Sequence, residues 1–161
     1  MLYCCTYDSP IGLITLASDG EYLTGLWMEG QLHFGQGHPE LQPKTDLPVF
    51  RQTVTWLDDY FAGKAPSVEM LPLKPTGSPF RQKVWQLLLS IPYGETVTYG
   101  QIAAMLGRPM SAQAIGNAVG HNPISIIVPC HRVLGSGGKL TGYAGGTPRK
   151  LWLLRHENAL N

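Results

Sequence analysis

Apolar and polar positions alternate in three stretches near the start of the chain, "LYCCTY", "GLITLAS" and "YLTGLWM", separated by the turn-forming runs "DSPIG" and "SDGE". A period of two with that punctuation predicts three short strands joined by tight turns. The period then lengthens. In "LPVFRQTVTWLDDYFAG" the apolar residues Phe50, Val54, Leu57 and Phe61 recur at intervals of three to four, which predicts a helix capped by Asp46 and ended by Gly63. The proline-rich "VEMLPLKPTGSP" that follows reads as a connector between two domains, residues 1–77 and 78–161.

Beyond the connector the pattern predicts several short helices. Ser78 before Pro79 is a cap signal for a helix carrying Phe80, Val84, Trp85 and Leu88, and "IPYGE" is a turn. Thr98 can cap "YGQIAAML", which Gly107 stops, and Ser111 can cap "AQAIGNAVG". Two short helices with a glycine-containing joint outline a helix-turn-helix. The second is nearly bald, with Ala112, Ala114, Gly116 and Ala118. Such a surface suits close approach by a partner, and it suits tight packing against another helix equally well. "ISIIV" reads as a buried extended segment delivering Pro129 and Cys130, six glycines among residues 135–146 make a tightly turned loop, and Thr147 with Pro148 repeats the cap signal for a last helix.

Composition adds little until the chain is divided. It has 161 residues, 43% hydrophobic and 14% charged, which suits a globular protein with one good core or two small ones. The formal charge of +1 conceals a net of −5 over residues 1–78 and +6 over residues 79–161. That asymmetry points to a polyanion partner for the second half or to attraction between the halves. The first ten residues have no basic run, and Asp8, Ser9 and Pro10 interrupt the first apolar stretch, so neither a signal peptide nor a membrane span is expected and the expected setting is cytoplasmic. Cys4, Cys5 and Cys130 are expected to be reduced thiols. Cys4 and Cys5, with His33 and His38, lack the spacing of a structural zinc site, and no metal or cofactor is expected.

The candidate chemistry lies in "IIVPCHRVLG". A thiol attacks as its thiolate and needs a base, and His131 adjoins Cys130. Neighbours in an extended strand point opposite ways, so the two can act together only across a bend or through a water. Of the two carboxylates in the basic half, Glu95 falls in a turn and Glu157 on the last helix, which makes Glu157 the candidate to orient the imidazole. By itself the pair also fits a buried cysteine beside a hydrogen-bonded histidine.

"PCHRV", with "NPISIIV" before it and "TGYAGG" and "KLWLLRHE" after, resembles the active-site region of the O6-alkylguanine-DNA alkyltransferases. The likeness extends back through "SPFRQKVWQLLLSIPYGETVTYGQIAAMLGRP" and so covers residues 78–157. It implies an α/β two-domain protein: a small N-terminal domain of antiparallel strands plus a helix, ribonuclease-H-like, and a mostly helical, winged-helix-like C-terminal domain with the helix-turn-helix. It further implies a methylated-DNA–protein-cysteine methyltransferase that moves an alkyl group irreversibly, once per molecule, from O6 of guanine in duplex DNA to Cys130, with O4 of thymine as a second candidate. His131 would take the thiol proton through a water and Glu157 would hold the imidazole. Tyr99 would assist the leaving guanine, and Asn122 would brace the active-site turn. Val133, through its carbonyl, Tyr143 and the Ala144 amide would receive the base, while Arg132 would be structural.

The resemblance also implies that the second helix enters the minor groove while the target nucleotide is rotated out of the stack, which costs a few kcal/mol. Ser111, Ala112, Gln113, Ala114, Gly116, Asn117 and Gly120 are then the candidate DNA contacts. Where the family has an arginine that fills the vacated stack, this chain has Gln113, without charge and with less stacking surface. Arg108, Lys139, Arg149, Lys150 and Arg155 are candidate phosphate contacts. The partner expected is double-stranded DNA carrying O6-alkylguanine, met by a monomer, with cooperative binding left open. Two other readings compete: a non-catalytic reader of alkylated DNA, and a Cys-His-Glu hydrolase, which would turn over.

Overall fold

The computed structural model describes residues 1–107 and 110–160. Arg108, a candidate phosphate contact, lies outside the described residues. The three alternating stretches form β1 (Tyr3–Ser9), β2 (Gly12–Ser18) and β3 (Leu23–Met28), an antiparallel meander, and β4 (Gln42–Pro43) adds a parallel strand beside β1. The order across the sheet is β3-β2-β1-β4. Two residues are too few to show a period, which is why β4 escapes a pattern reading.

β3 differs from the alternating strand expected: all six of its residues are buried. Its outer edge is covered by the connector and by a segment of the second half. Leu23 exchanges backbone hydrogen bonds with Pro72 and Lys74, and Leu26 does so with Pro123 and Ser125. An edge strand closed this way offers no unpaired ladder to another molecule. It also ties the sheet to the segment that leads to Cys130. Gly25 is required by its neighbour, because a Cβ there would lie 2.2 Å from the Trp27 ring folded over it.

Helix α1 (Pro48–Phe61) packs on β1 and β2 and buries Val49, Phe50, Thr53, Trp56, Leu57 and Tyr60. Its buried stripe is rotated from the expected one, leaving Val54 and Phe61 half-buried. Asp46 is not its cap. The N-cap is Leu47, without a side-chain bond, and Pro48 begins the helix with its fixed φ and no amide to satisfy.

Helix α2 (Pro79–Leu89) is capped by Ser78, whose hydroxyl accepts from the Arg81 amide. Thr98 and Gln101 form a reciprocal capping box at α3 (Tyr99–Met105), and the Ser111 hydroxyl caps α4 (Ala112–Gly120) by accepting from the Ala114 amide. Each such cap contributes about 1 kcal/mol. Helices α3 and α4 form the helix-turn-helix against α2, where Trp85 donates its indole hydrogen to the Ala118 carbonyl at 2.8 Å. A short parallel pair, β5 (Val97–Thr98) and β6 (Val133–Leu134), joins the start of α3 to the chain just past Cys130. The last helix, α5 (Thr147–His156), has Gly146 as N-cap rather than Thr147, and Glu157 follows as its C-cap. One apolar cluster runs from Ile14 and Leu16 through Tyr60 and Trp85 to Val128 and Leu153, so the two halves share a continuous core.

Candidate active site

The chain from Ile124 to Val128 is turned, not extended as its β-branched composition suggests. Ile127 donates to the Ser125 carbonyl at 2.8 Å across Ile126, whose φ is +71°, and Val128 donates to Ile124 at 3.0 Å. A β-branched residue at positive φ is strained, on the order of 1–3 kcal/mol, and persists only where its surroundings hold it. Asn122 holds it here. Its amide donates to the carbonyls of Val128 (2.7 Å) and Ile124 (3.3 Å), and its oxygen accepts from the Ile124 amide (3.0 Å).

Pro129 then turns the chain into a single 3-10 turn, Cys130–Arg132. This turn, rather than a strand, sends consecutive side chains to different places. Cys130 reaches the wall of a cavity of about 330 Å³, shared with Leu32, His33, Tyr99, Gly116, Val119, Gly120, Gly142, Tyr143 and Ala144. His131 is directed into the interior with no exposed surface. Burial pushes the Cys130 thiol above its ordinary pKa, opposed by the Asn122 amide, the Lys150 charge and its own backbone amide.

His131 Nε2 lies 2.7 Å from Oε2 of Glu157. A carboxylate only accepts, so Nε2 carries the hydrogen and Nδ1 of the neutral ring presents its lone pair. Nδ1 is buried and has no hydrogen-bond partner among the described residues. Burial lowers the pKa of His131, outweighing the Glu157 hydrogen bond and charge that would raise it, so the ring is neutral near pH 7. Glu157 also accepts from Arg132, Nε to Oε1 at 2.8 Å and Nη2 to Oε2 at 3.1 Å, and from the Tyr60 hydroxyl at 2.5 Å. Burial alone would raise its pKa, but His131 and Arg132 overcome that and hold it well below the ordinary carboxylate range. Arg132, reaching the Ile91 carbonyl at 2.7 Å as well, is structural as expected from the sequence.

Tyr99 is set at the first turn of α3 by the β5–β6 pairing, and its hydroxyl lies 3.3 Å from that of Thr141. The Tyr143 hydroxyl is buried without a hydrogen bond of good geometry among the described residues, yet near enough to Cys130 and Ser125 for each to affect its acidity. Gly145 lets this ring pack, since a Cβ there would come within 2.7 Å of both Tyr143 and Met28. The Ala144 carbonyl accepts from the Leu32 amide at 2.9 Å, so a loop of the first domain supports the far wall. Val133 is buried in β6 and does not line the cavity.

On α4, Ser111, Ala112, Gln113 and Asn117 are exposed, Ala114, Gly116 and Gly120 are half-buried, and Gly116 and Gly120 also line the cavity. Asn117 accepts from Arg81 at 3.2 Å. Ala118 faces the core, so one of the four small residues serves packing. Two candidate phosphate contacts serve the interior instead. Arg149 donates to the carbonyls of Ile11 (2.9 Å) and Glu29 (2.8 Å), crossing to the first domain. Lys150 is buried, with Nζ 3.4 and 3.3 Å from the carbonyls of Thr141 and Gly142, and burial brings its pKa down to about 8 against the pull of Cys130. Cys4 and Cys5 lie on β1, His38 bonds Thr24 at 2.8 Å, and His33 stacks on His121 at 3.9 Å.

Sequence reasoning missed Tyr60, Leu32, His33 and the inward role of Lys150. Tyr60 belongs to the "DDYFAG" run, and its place at the helical spacing from Trp56 was the available signal.

Comparison with known proteins accords with this arrangement. The family profile described as "6-O-methylguanine DNA methyltransferase, ribonuclease-like domain" matches residues 2–75, and the one described as "6-O-methylguanine DNA methyltransferase, DNA binding domain" matches residues 79–159. A methylated-DNA--protein-cysteine methyltransferase of Mycobacterium tuberculosis is 48% identical over 160 residues, covering 99% of this chain and 94% of its own. That of Haemophilus influenzae is 42% identical over 156 residues, covering 97% and 86%. The crystal structure of Mycobacterium tuberculosis OGT in complex with DNA superposes with a TM-score of 0.87 at 47% identity, covering 98% of this chain and 93% of that one.

Proposed function

Because the chain belongs to the O6-methylguanine DNA methyltransferase family, we propose that it repairs DNA by taking the alkyl group from O6 of guanine onto Cys130, once per molecule. The observation that carries this reading is the division of labour around the 3-10 turn. The thiol faces a cavity while the neighbouring imidazole, fixed by Glu157, keeps an unshared lone pair at Nδ1.

In the proposed mechanism a water relays the proton from Sγ to Nδ1, and the imidazolium that forms is stabilised by the Glu157 carboxylate. The thiolate attacks the alkyl carbon in line, the carbon–O6 bond breaks, and the electron pair leaves on the guanine. Tyr99 donates to the departing base, Tyr143 packs beside it, and the Ala144 amide holds its edge, whereas Val133, outside the cavity lining, takes no part. A cavity of about 330 Å³ is at the small end of ligand sites and admits a base, not a duplex, so the nucleotide is flipped out of the helix. The exposed face of α4, small from Ala112 to Gly120, lies along the groove, with Gln113 at the vacated stack. The product is a thioether that water does not cleave, so the protein is consumed.

Counting repaired guanines against protein in a rapid-quench experiment tests this. The reading requires a plateau at one guanine per protein. Continued turnover would instead favour the hydrolase, and tight lesion binding without repair would favour the damage reader.

A further inference from the structure

Glu157 is reached from three parts of the chain, the 3-10 turn, the Gly94 amide at 3.5 Å from Oε1, and α1, and the longest reach is that of Tyr60. The phenol sits on α1 of the first domain, fully buried, 97 residues away in sequence, and donates to Oε2 at 2.5 Å. The same oxygen accepts from His131 Nε2 at 2.7 Å and from Arg132 Nη2 at 3.1 Å. Three donors on one carboxylate oxygen compete for its electron density. The ring of Tyr60 is itself held, stacked on Trp56 at 5.4 Å and 8° and edge-on to Phe61 and Tyr93. Its carbonyl accepts from His156 at 2.7 Å. The phenol therefore cannot turn away from the carboxylate without disturbing the domain contact.

We propose that Tyr60 is a positioning residue for alkyl transfer: by sharing Oε2 with His131 it weakens the carboxylate's hold on the imidazolium proton, holds down the basicity of the ring and so keeps it neutral, with Nδ1 able to accept, before reaction. The first domain thereby adjusts the base of a site whose nucleophile lies in the second. Other groups facing the Glu157–His131 pair are Arg132 from the 3-10 turn, Tyr93 from the turn after α2, and Lys150 from α5. All three remain unchanged when Tyr60 alone is altered. The inference rests on the alkyl-transfer reading of Cys130 for its kinetic consequence, while its effect on the imidazole does not need DNA.

Tyr60→Phe removes the donor and keeps the ring. Freed of the phenol, Oε2 binds the imidazolium more strongly, so His131 protonates at higher pH. The rate of methyl transfer to the protein, measured from pH 5 to 8, should then lose its acid limb about half a pH unit higher, a roughly threefold slower transfer at the acid end. Titration of the His131 ring by NMR, without DNA, should move in the same direction. Val49→Ala, which loosens the packing of the same helix about three turns away from Tyr60, should lower the melting temperature and leave the limb in place. If Tyr60→Phe does not fold, 3-fluorotyrosine at position 60, a stronger donor, should move the limb the opposite way. An unmoved limb and an unmoved ring titration in a folded Tyr60→Phe protein would overturn the proposal. Should the wild-type protein transfer no methyl at all, the reading of Cys130 fails, and the ring titration alone decides the role of Tyr60.

Discussion

The side-chain amide of Asn122 donates to the carbonyl of Val128 at 2.7 Å, two residues before the thiol, and with its two bonds to Ile124 it closes the turn that carries Ile126 at positive φ. Asn122→Ala removes all three bonds and leaves the Ile124 amide unpaired, while the Ile124 and Val128 carbonyls keep the amides of Val128 and Cys130, so it should destabilise the protein by about 2 kcal/mol and abolish transfer. Urea unfolding and a methyl-transfer assay check both. A variant that keeps full activity would show that the turn holds itself.

Gln113 stands exposed at the first turn of α4. Gln113→Arg adds a charge and a planar surface where the proposed DNA path crosses the helix, so it should tighten binding to lesion duplex or speed transfer several-fold. The slope of log affinity against log salt should steepen by up to about 0.9 if the new charge meets a phosphate. Unchanged rate, affinity and slope would place the vacated-stack position elsewhere.

Lys150 links the glycine loop to the thiol. Its ammonium lies near the Thr141 and Gly142 carbonyls and beside Cys130, and its pKa is brought down to about 8. Lys150→Met keeps the stem and removes the charge, so the thiolate loses a stabilising partner and the loop a clamp. Transfer should slow by about tenfold, in line with the worth of a hydrogen bond to a charged group. The wild-type rate profile should show an inflection near pH 8 that is absent from the variant's profile. An inflection that survives the substitution would assign it to another group.

Acid should loosen the protein in two stages. His131 has a folded pKa below its ordinary 6.5 because of burial, so the unfolded chain takes up the proton first and stability declines as pH falls below that value. Glu157 has a folded pKa below its ordinary 4.5, held there by His131 and Arg132 against burial, so it contributes stability present above 4.5 and lost as pH falls further. Melting temperatures from pH 8 to 3 should show both declines, and Glu157→Gln should flatten the lower one. A level curve between pH 7 and 4 would contradict the assignment for His131.

Three of the five expected caps were readable because each rests on neighbours, whereas Asp46 and Thr147 proved to be one residue off their helix starts. Ser78, Thr98 and Ser111 each bond an amide three residues on, and the sequence displays both partners together. What could not be read depends on partners far along the chain. "ISIIV" has the composition of a strand, yet the turn is imposed by Asn122 and by β3 at Leu26. β3 looks half-exposed by its alternation, yet the connector and Pro123 cover its edge. The site divides the same way. Cys130, His131 and Glu157 were legible from chemistry and a resemblance, whereas the Tyr60 hydroxyl on Glu157 spans the domains, and Lys150 looked like a surface charge until its burial was seen.

The central claim is that Cys130 takes the alkyl group, and the intact mass of the protein tests it most directly. After incubation with a short duplex containing one O6-methylguanine, peptide mapping should find a single methyl on Cys130, saturating at one per protein and absent from Cys130→Ser. An unchanged mass in a protein that binds the lesion, or a methyl on any other residue, would contradict it.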